Sequence, residues 1–89
     1  MWVYVYTLEF CPHCDELKKF LKESSIEYIE RDMQTAESIA ELRVNQVFAI
    51  EAPVLQIGEE TFYESDKLFD KYGLNKAAVV EACQALTLR

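Results

Sequence analysis

Residues 2–7, WVYVYT, are aromatic or β-branched at every position and show no polar alternation. Such a run suits a strand buried on both faces, as at the centre of a parallel sheet. Thr7-Leu8-Glu9-Phe10 follows as a short loop, and then the period changes. Cys14, Leu17, Phe20 and Leu21 recur at the spacing of an amphipathic helix face. Pro12 stands at a first-turn position, where its missing N–H is no loss. Asp15 and Glu16 come early and Lys18, Lys19 and Lys22 later, the order that the helix dipole favours. This helix is expected to end between Glu23 and Ser25.

Ile26 to Arg31 reads as a second strand, more polar than the first and so nearer an edge. Asp32 to Thr35 turns the chain. Thr35, with Ser38 three residues on, makes a weak cap for a helix from Ala36 to about Val47. Ile39, Leu42, Arg43, Gln46 and Val47 share a stripe of that helix, with Ile39 and Leu42 the expected core residues. Phe48 to Glu51 link it to a third strand, Ala52 to Gly58, opened by Pro53, where proline is tolerated. Gly58-Glu59-Glu60 is a tight turn and Thr61-Phe62-Tyr63 a fourth strand, together an antiparallel hairpin. Ser65 or Asp66 is expected to cap a helix carrying Leu68, Phe69 and Tyr72 and stopped by Gly73. Asn75 caps a last helix with Val79, Val80, Cys83 and Leu86 inward. The order βαβα, then ββα and a final helix, predicts an α/β fold. Its four-stranded mixed sheet carries helices on both faces.

Length and charge narrow the reading. Eighty-nine residues without repeat or linker make residues 1–89 a single domain. A chain this size buries only about 60–65% of its unfolded surface. With 16 acidic residues against 9 basic the formal net charge is −7, which argues against nucleic acid or an anionic membrane as partner. No run approaches the length of a membrane span. The apolar start lacks a basic stretch before it and a small-residue cleavage site after it, so it reads as a strand rather than a signal peptide. A cytoplasmic monomer is expected. There a close cysteine pair is redox-active or metal-binding rather than a stable disulfide.

That pair is Cys11 and Cys14, in Cys11-Pro12-His13-Cys14, where the first strand's loop meets the helix. Unpaired N–H groups of a first helical turn and the helix dipole favour a thiolate at Cys11. Cys14, about one turn on, is placed to attack a mixed disulfide formed by Cys11. Pro12 stiffens the turn between them. A protonated His13 adds positive charge beside the thiolate, and Glu9, Asp15 and Glu16 oppose it. Structural zinc is the bland alternative, but it wants four ligands. Only His13, between the two cysteines, and Cys83, on the apolar face of another helix, are left to supply them. No metal is therefore expected. Cys83 reads as a small core residue. Phe10, Phe48 and Tyr63 form either an apolar rim around Cys11 or part of the core.

Tyr6 to Cys14 resembles the active site of glutaredoxins, a tyrosine, a loop and Cys-Pro-Tyr-Cys, with His13 in place of the usual second tyrosine. The likeness extends over nearly the whole chain. It implies a thioredoxin-like fold and a thiol–disulfide oxidoreductase, with Cys11 attacking and Cys14 resolving. The electrons are then held in the Cys11–Cys14 pair and no bound cofactor is required. Ala52-Pro53-Val54 resembles the family's Thr-Val-Pro segment. Its proline is cis, which implies that Ala52 offers backbone to an extended substrate beside Cys11.

Three departures bear on the partner. The family's lysine before the first cysteine corresponds to Leu8. Its Gly-Gly pair corresponds to Tyr63 and Glu64. Only the following acidic residue, Asp66, is kept, and Asp66 also reads as a helix cap. Glutathione is anionic and needs close backbone approach, so the lost cation and the added Glu64 weaken such a site. The expected partners are disulfide-bearing proteins, with a thioredoxin-reductase-type enzyme or another thiol as reductant. Leu8, Phe10 and Tyr63 are expected to flank the groove. An iron–sulfur carrier using Cys11, a conventional glutathione-dependent glutaredoxin and a redox-inert interaction module are the alternatives.

Overall fold

A computed structural model of the chain describes residues 3–49, 51–59 and 61–87, apart from the side chains of 85–87. The apolar first run forms β1 (Val3–Thr7), and it lies inside the sheet. It pairs in parallel with β2 (Ile29–Asp32), setting Thr7 beside Asp32. On its other side it pairs antiparallel with β3 (Val54–Ile57), setting Tyr6 beside Val54. β4 (Thr61–Tyr63) completes the order β2-β1-β3-β4 as the second half of the expected hairpin. The polar β2 is an edge strand, as its composition predicts.

Both faces of β1 are covered. Val3 and Val5 meet Leu17 and Leu21 of α1 (Pro12–Glu23), Leu68 of α3 (Ser65–Leu68), and Val79, Ala82 and Cys83 of α4 (Lys76–Thr87). Tyr6 on the other face joins Val54, Met33, Val47 and Leu42 of α2 (Ala36–Val44). The buried Tyr6 hydroxyl donates to Gln56 Oε1 at 2.6 Å and accepts from Arg31 Nη1 at 3.0 Å, while Gln56 Nε2 donates to the Gly58 carbonyl at 2.8 Å. Burial raises the Tyr6 phenol above its ordinary range, and Arg31 partly offsets it.

The two early helices end alike, without glycine. Ser25 and Gln46 take positive φ, 58° and 62°. Each lies just past a helix whose next residue, Ile26 or Val47, donates back to the carbonyl of Leu21 or Leu42 at 2.9 and 2.8 Å. These are Schellman closures, and each sets an apolar residue after the helix against the last turn. At the helix starts, Thr35 Oγ1 accepts from Ser38 N at 3.1 Å and Asn75 Oδ1 from Ala78 N at 3.1 Å, as the sequence suggests.

Three expectations need correction. α2 stops at Val44, because the turn at Asn45 and Gln46 breaks it short of Val47. Ser38 and Leu42 form the inward face of this helix, and Ile39, one position round from Ser38, is 38% exposed. The helix expected through Tyr72 is one turn long, and Glu64, not Ser65 or Asp66, occupies its cap position. The chain then forms a two-residue hairpin, β5 (Phe69–Asp70) and β6 (Gly73–Leu74). Asp70 Oδ1 accepts from Tyr72 N at 2.8 Å, a local turn bond that competes with helix. Tyr72 is consequently exposed, and Gly73, at φ 108°, serves the hairpin rather than a helix end. Expectations for Trp2, Ile50, Glu60 and the Leu86 side chain fall outside the described residues. Val80 is only partly buried, while Val79 and Cys83 are core.

The contrast within α2 is measurable. Leu42→Ala should lower unfolding free energy by about 2–5 kcal/mol, and Ile39→Ala by less than about 1 kcal/mol, in denaturant titrations of the two variants. Equal losses would restore Ile39 to the core.

Candidate active site

Cys11 is the N-cap of α1. Its backbone is extended, at φ −111° and ψ 100°, and Pro12 follows as the first helical residue. That geometry turns the Cys11 side chain back over the helix start, where its Sγ accepts the backbone N–H of Cys14 at 3.1 Å. The role usually belongs to a serine or aspartate oxygen, and here a sulfur fills it. An N–H donor and the positive end of the helix dipole thus both face that sulfur. Cys11 is partly open to solvent, and its thiol lies 3.8 Å from the Ala52 carbonyl oxygen.

Cys14 has a different environment, although it is one turn away. It is 1% exposed and packs among Tyr6, Met33 and Leu42. Burial, and then its hydrogen bond to Cys11, push its thiol up to about 12. The two cysteines are unbridged. Spacing alone made them a pair; the structure divides them into an accessible, hydrogen-bond-accepting sulfur and a buried thiol that keeps its proton. Cys83 is buried against the opposite core, which raises its thiol too.

The His13 ring stacks on Phe69 of β5 at 4.4 Å between centroids, with 23° between planes. The hairpin that sequence periodicity missed thus buttresses the active-site turn. Pro53 is cis and fully buried, and Ala52 is nearly so. The Ala52 carbonyl points at Cys11, so the expected closeness of Ala52 and Cys11 is present. Ala52 is, however, less open than an exposed backbone edge.

A groove of about 510 Å³ opens beside Cys11. Leu8 and Phe10 line it, as expected, and Phe10 is 98% exposed. Tyr63 is placed elsewhere. It packs against the core formed by Val3, Leu55 and their neighbours, because its place on β4 directs it there. Asp66 borders a separate small pocket with Phe48, Ala49, Glu51, Glu64 and Ser65, and none of these lines the groove beside Cys11. Phe48 is 70% exposed, which settles it as a surface residue.

The residues missed from sequence are Thr7, Asp15, Lys18, Glu30 and Asp32, which line the groove with Glu9. Glu30 Oε2 accepts from Thr7 Oγ1 at 2.9 Å and from Lys18 Nζ at 3.1 Å, and these bonds hold the Glu30 carboxyl below its usual range. A signal was present: Thr7 and Asp32 end two parallel strands, the edge at which α/β sheets place their sites. Among the described residues no cluster of three or more metal-ligating side chains occurs. None of the described helices is long and apolar enough to cross a membrane.

A helix-capping cysteine, a buried second cysteine one turn on and the Ala52 carbonyl just before cis-Pro53 lie together on a four-stranded mixed sheet of thioredoxin-like fold. The glutaredoxin family profile matches residues 3–62, and the chain belongs to that family. Solved structures agree on the fold. The thioredoxin-like protein BC3987 is 23% identical, with a TM-score of 0.67 over 90% of this chain and 97% of its own. A mutant of that same protein is 22% identical, with a TM-score of 0.69 over 92% and 94%. The glutaredoxin-like NrdH-redoxin from Escherichia coli is 17% identical, with a TM-score of 0.65 over 91% and 93%. No curated protein matches the chain.

Alkylation of the reduced, folded protein should separate the thiols. With iodoacetamide near pH 8 and peptide mapping, Cys11 should be modified first, and Cys14 and Cys83 only after denaturation. Modification of Cys14 ahead of Cys11 would contradict the site's polarity.

Proposed function

We propose that this protein is a dithiol–disulfide oxidoreductase that reduces disulfides through Cys11 and Cys14. The observation that carries the reading is the cap: an accessible Cys11 sulfur accepts the Cys14 N–H at 3.1 Å above a buried Cys14 thiol. The Cys11 thiolate attacks one sulfur of a substrate disulfide. The other sulfur leaves as a thiolate and takes a proton, and the substrate is held as a mixed disulfide on Cys11. Forming that bond removes the charge to which the Cys14 thiol was hydrogen-bonded. Cys14 then gives up its proton and attacks Cys11 Sγ, releasing the second substrate thiol and closing the Cys11–Cys14 disulfide. Two electrons pass to the substrate. The thiol pair stores them, so the chemistry needs neither metal nor organic cofactor.

Ala52 and Pro53 set the substrate backbone beside Cys11, and Leu8 and Phe10 form its walls. His13, stacked on Phe69, holds the exposed side of the turn. A thioredoxin-reductase-type enzyme or another thiol fits as reductant better than glutathione. Leu8 replaces a cation, and Glu64, where the family has glycine, borders one pocket with Glu51 and so adds negative charge against an anionic ligand. The Escherichia coli NrdH-redoxin, which shares the fold, is described as having a thioredoxin-like activity profile, and this supports the same choice. A cytoplasmic monomer acting on protein disulfides completes the reading, with no role for nucleic acid or membrane in a chain of charge −7.

The test is turnover of a disulfide substrate with two recycling systems, glutathione with its reductase and a thioredoxin reductase system. Reduction should run faster with the latter and fall to background in Cys11→Ser. Faster turnover with glutathione would overturn the choice of reductant, and full activity in Cys11→Ser would overturn the mechanism.

A further inference from the structure

The walls around Cys11 carry a charge pattern that the redox reaction itself does not require. Glu9, Asp15, Glu30 and Asp32 line the groove, and Lys18 is its one cation among the described residues. Lys18, paired with Glu30 at 3.1 Å and Asp15 at 3.6 Å, offsets one of these four charges, so the groove lining keeps an excess of three carboxylates. Arg31, next along β2, is turned away, its guanidinium 3.9 Å over the Tyr4 ring and bonded to the Tyr6 hydroxyl. Beside these carboxylates stands Phe10, held out at 98% exposure by a backbone at φ 54°. An exposed ring next to a negative surface suits the stem and head of a lysine or arginine.

We propose that this groove selects disulfides whose cysteine is flanked by lysine or arginine, so that the substrate is a basic polypeptide segment. The inference rests on the dithiol reading above. An extended chain advances about 3.3–3.6 Å per residue. With the substrate sulfur on Cys11, a segment that follows this groove brings the residues one and two places away to the walls formed by Glu9, Asp32 and Phe10. The first step also creates a leaving thiolate close to these carboxylates. A cation on the departing segment stabilises that thiolate, and a carboxylate there adds to the repulsion. The same field works against glutathione disulfide, whose net charge is negative.

The test is a single-turnover reaction of the pre-reduced full chain with three homodimeric peptide disulfides that differ only in the residues flanking cysteine: lysine, glutamine or glutamate. Each rate is divided by that peptide's rate with dithiothreitol, which removes differences in intrinsic reactivity. At low salt, about 20 mM, the lysine peptide should react roughly tenfold or more faster than the glutamate peptide, the glutamine peptide falling between. In about 0.5 M salt, where screening acts over only a few ångströms, the spread should shrink to within about threefold. Glu9→Lys should reduce the lysine-to-glutamate ratio at low salt. Equal normalised rates at low salt, or a ratio unmoved by both salt and Glu9→Lys, would overturn the charge selectivity and leave the dithiol reading standing. Failure to reduce any of the three peptides would sink the dithiol reading and this inference with it.

Discussion

The N–H of Cys14 reaches back to the sulfur of Cys11, and the surrounding structure keeps those two atoms 3.1 Å apart. The bond exists because Cys11 occupies a helix cap in an extended conformation and Pro12 starts the helix without needing its own N–H. It stays in place because α1 is fixed from beneath. Leu17 and Leu21 are fully buried against Val3 and Val5, and Cys14 itself plugs the opposite core beside Tyr6. One helix thus contacts both cores, and its first turn carries the chemistry at their junction.

The site's asymmetry follows from that placement. A sulfur at the cap remains near solvent, whereas a sulfur one turn on points into the protein. Burial keeps the second thiol protonated, with its value pushed up to about 12, so that it donates to the first. Solvent access at one sulfur and burial of the other are therefore both assigned by helical geometry. The His13–Phe69 stack and the Ala52 carbonyl bound the pair from two other sides, and they come from parts of the chain distant in sequence.

Much of this was legible in advance where one residue's local preference and its tertiary role coincide. β1 is apolar throughout because both its faces are covered. α1 shows its period, its proline and its charge order together. The hairpin of β3 and β4 shows its turn at Gly58. Legibility failed where a local bond redirected the chain. Asp70 accepting from Tyr72 ended a helix that Leu68, Phe69 and Tyr72 had suggested by spacing. Gln46 adopted a positive φ that nothing in its chemistry announces, and the small Ser38, rather than Ile39, shares the inward face with Leu42. Leu8, Phe10 and Cys11 come together along one groove because they are neighbours in the chain. Tyr63 was misplaced toward the groove because its direction depends on the β4 register, and the acidic wall went unseen because it joins the ends of β1 and β2 to α1.

The division of labour between Cys11 and Cys14 is the centre of the account, and trapping the first intermediate tests it most directly. Cys14→Ser keeps the capped sulfur and removes the thiol that would release a bound substrate. Incubated with a disulfide substrate and analysed by intact mass and peptide mapping under non-reducing conditions, this variant should accumulate one stable mixed disulfide, located on Cys11. An adduct confined to Cys83, or no adduct while Cys11→Ser forms one through Cys14, would contradict it.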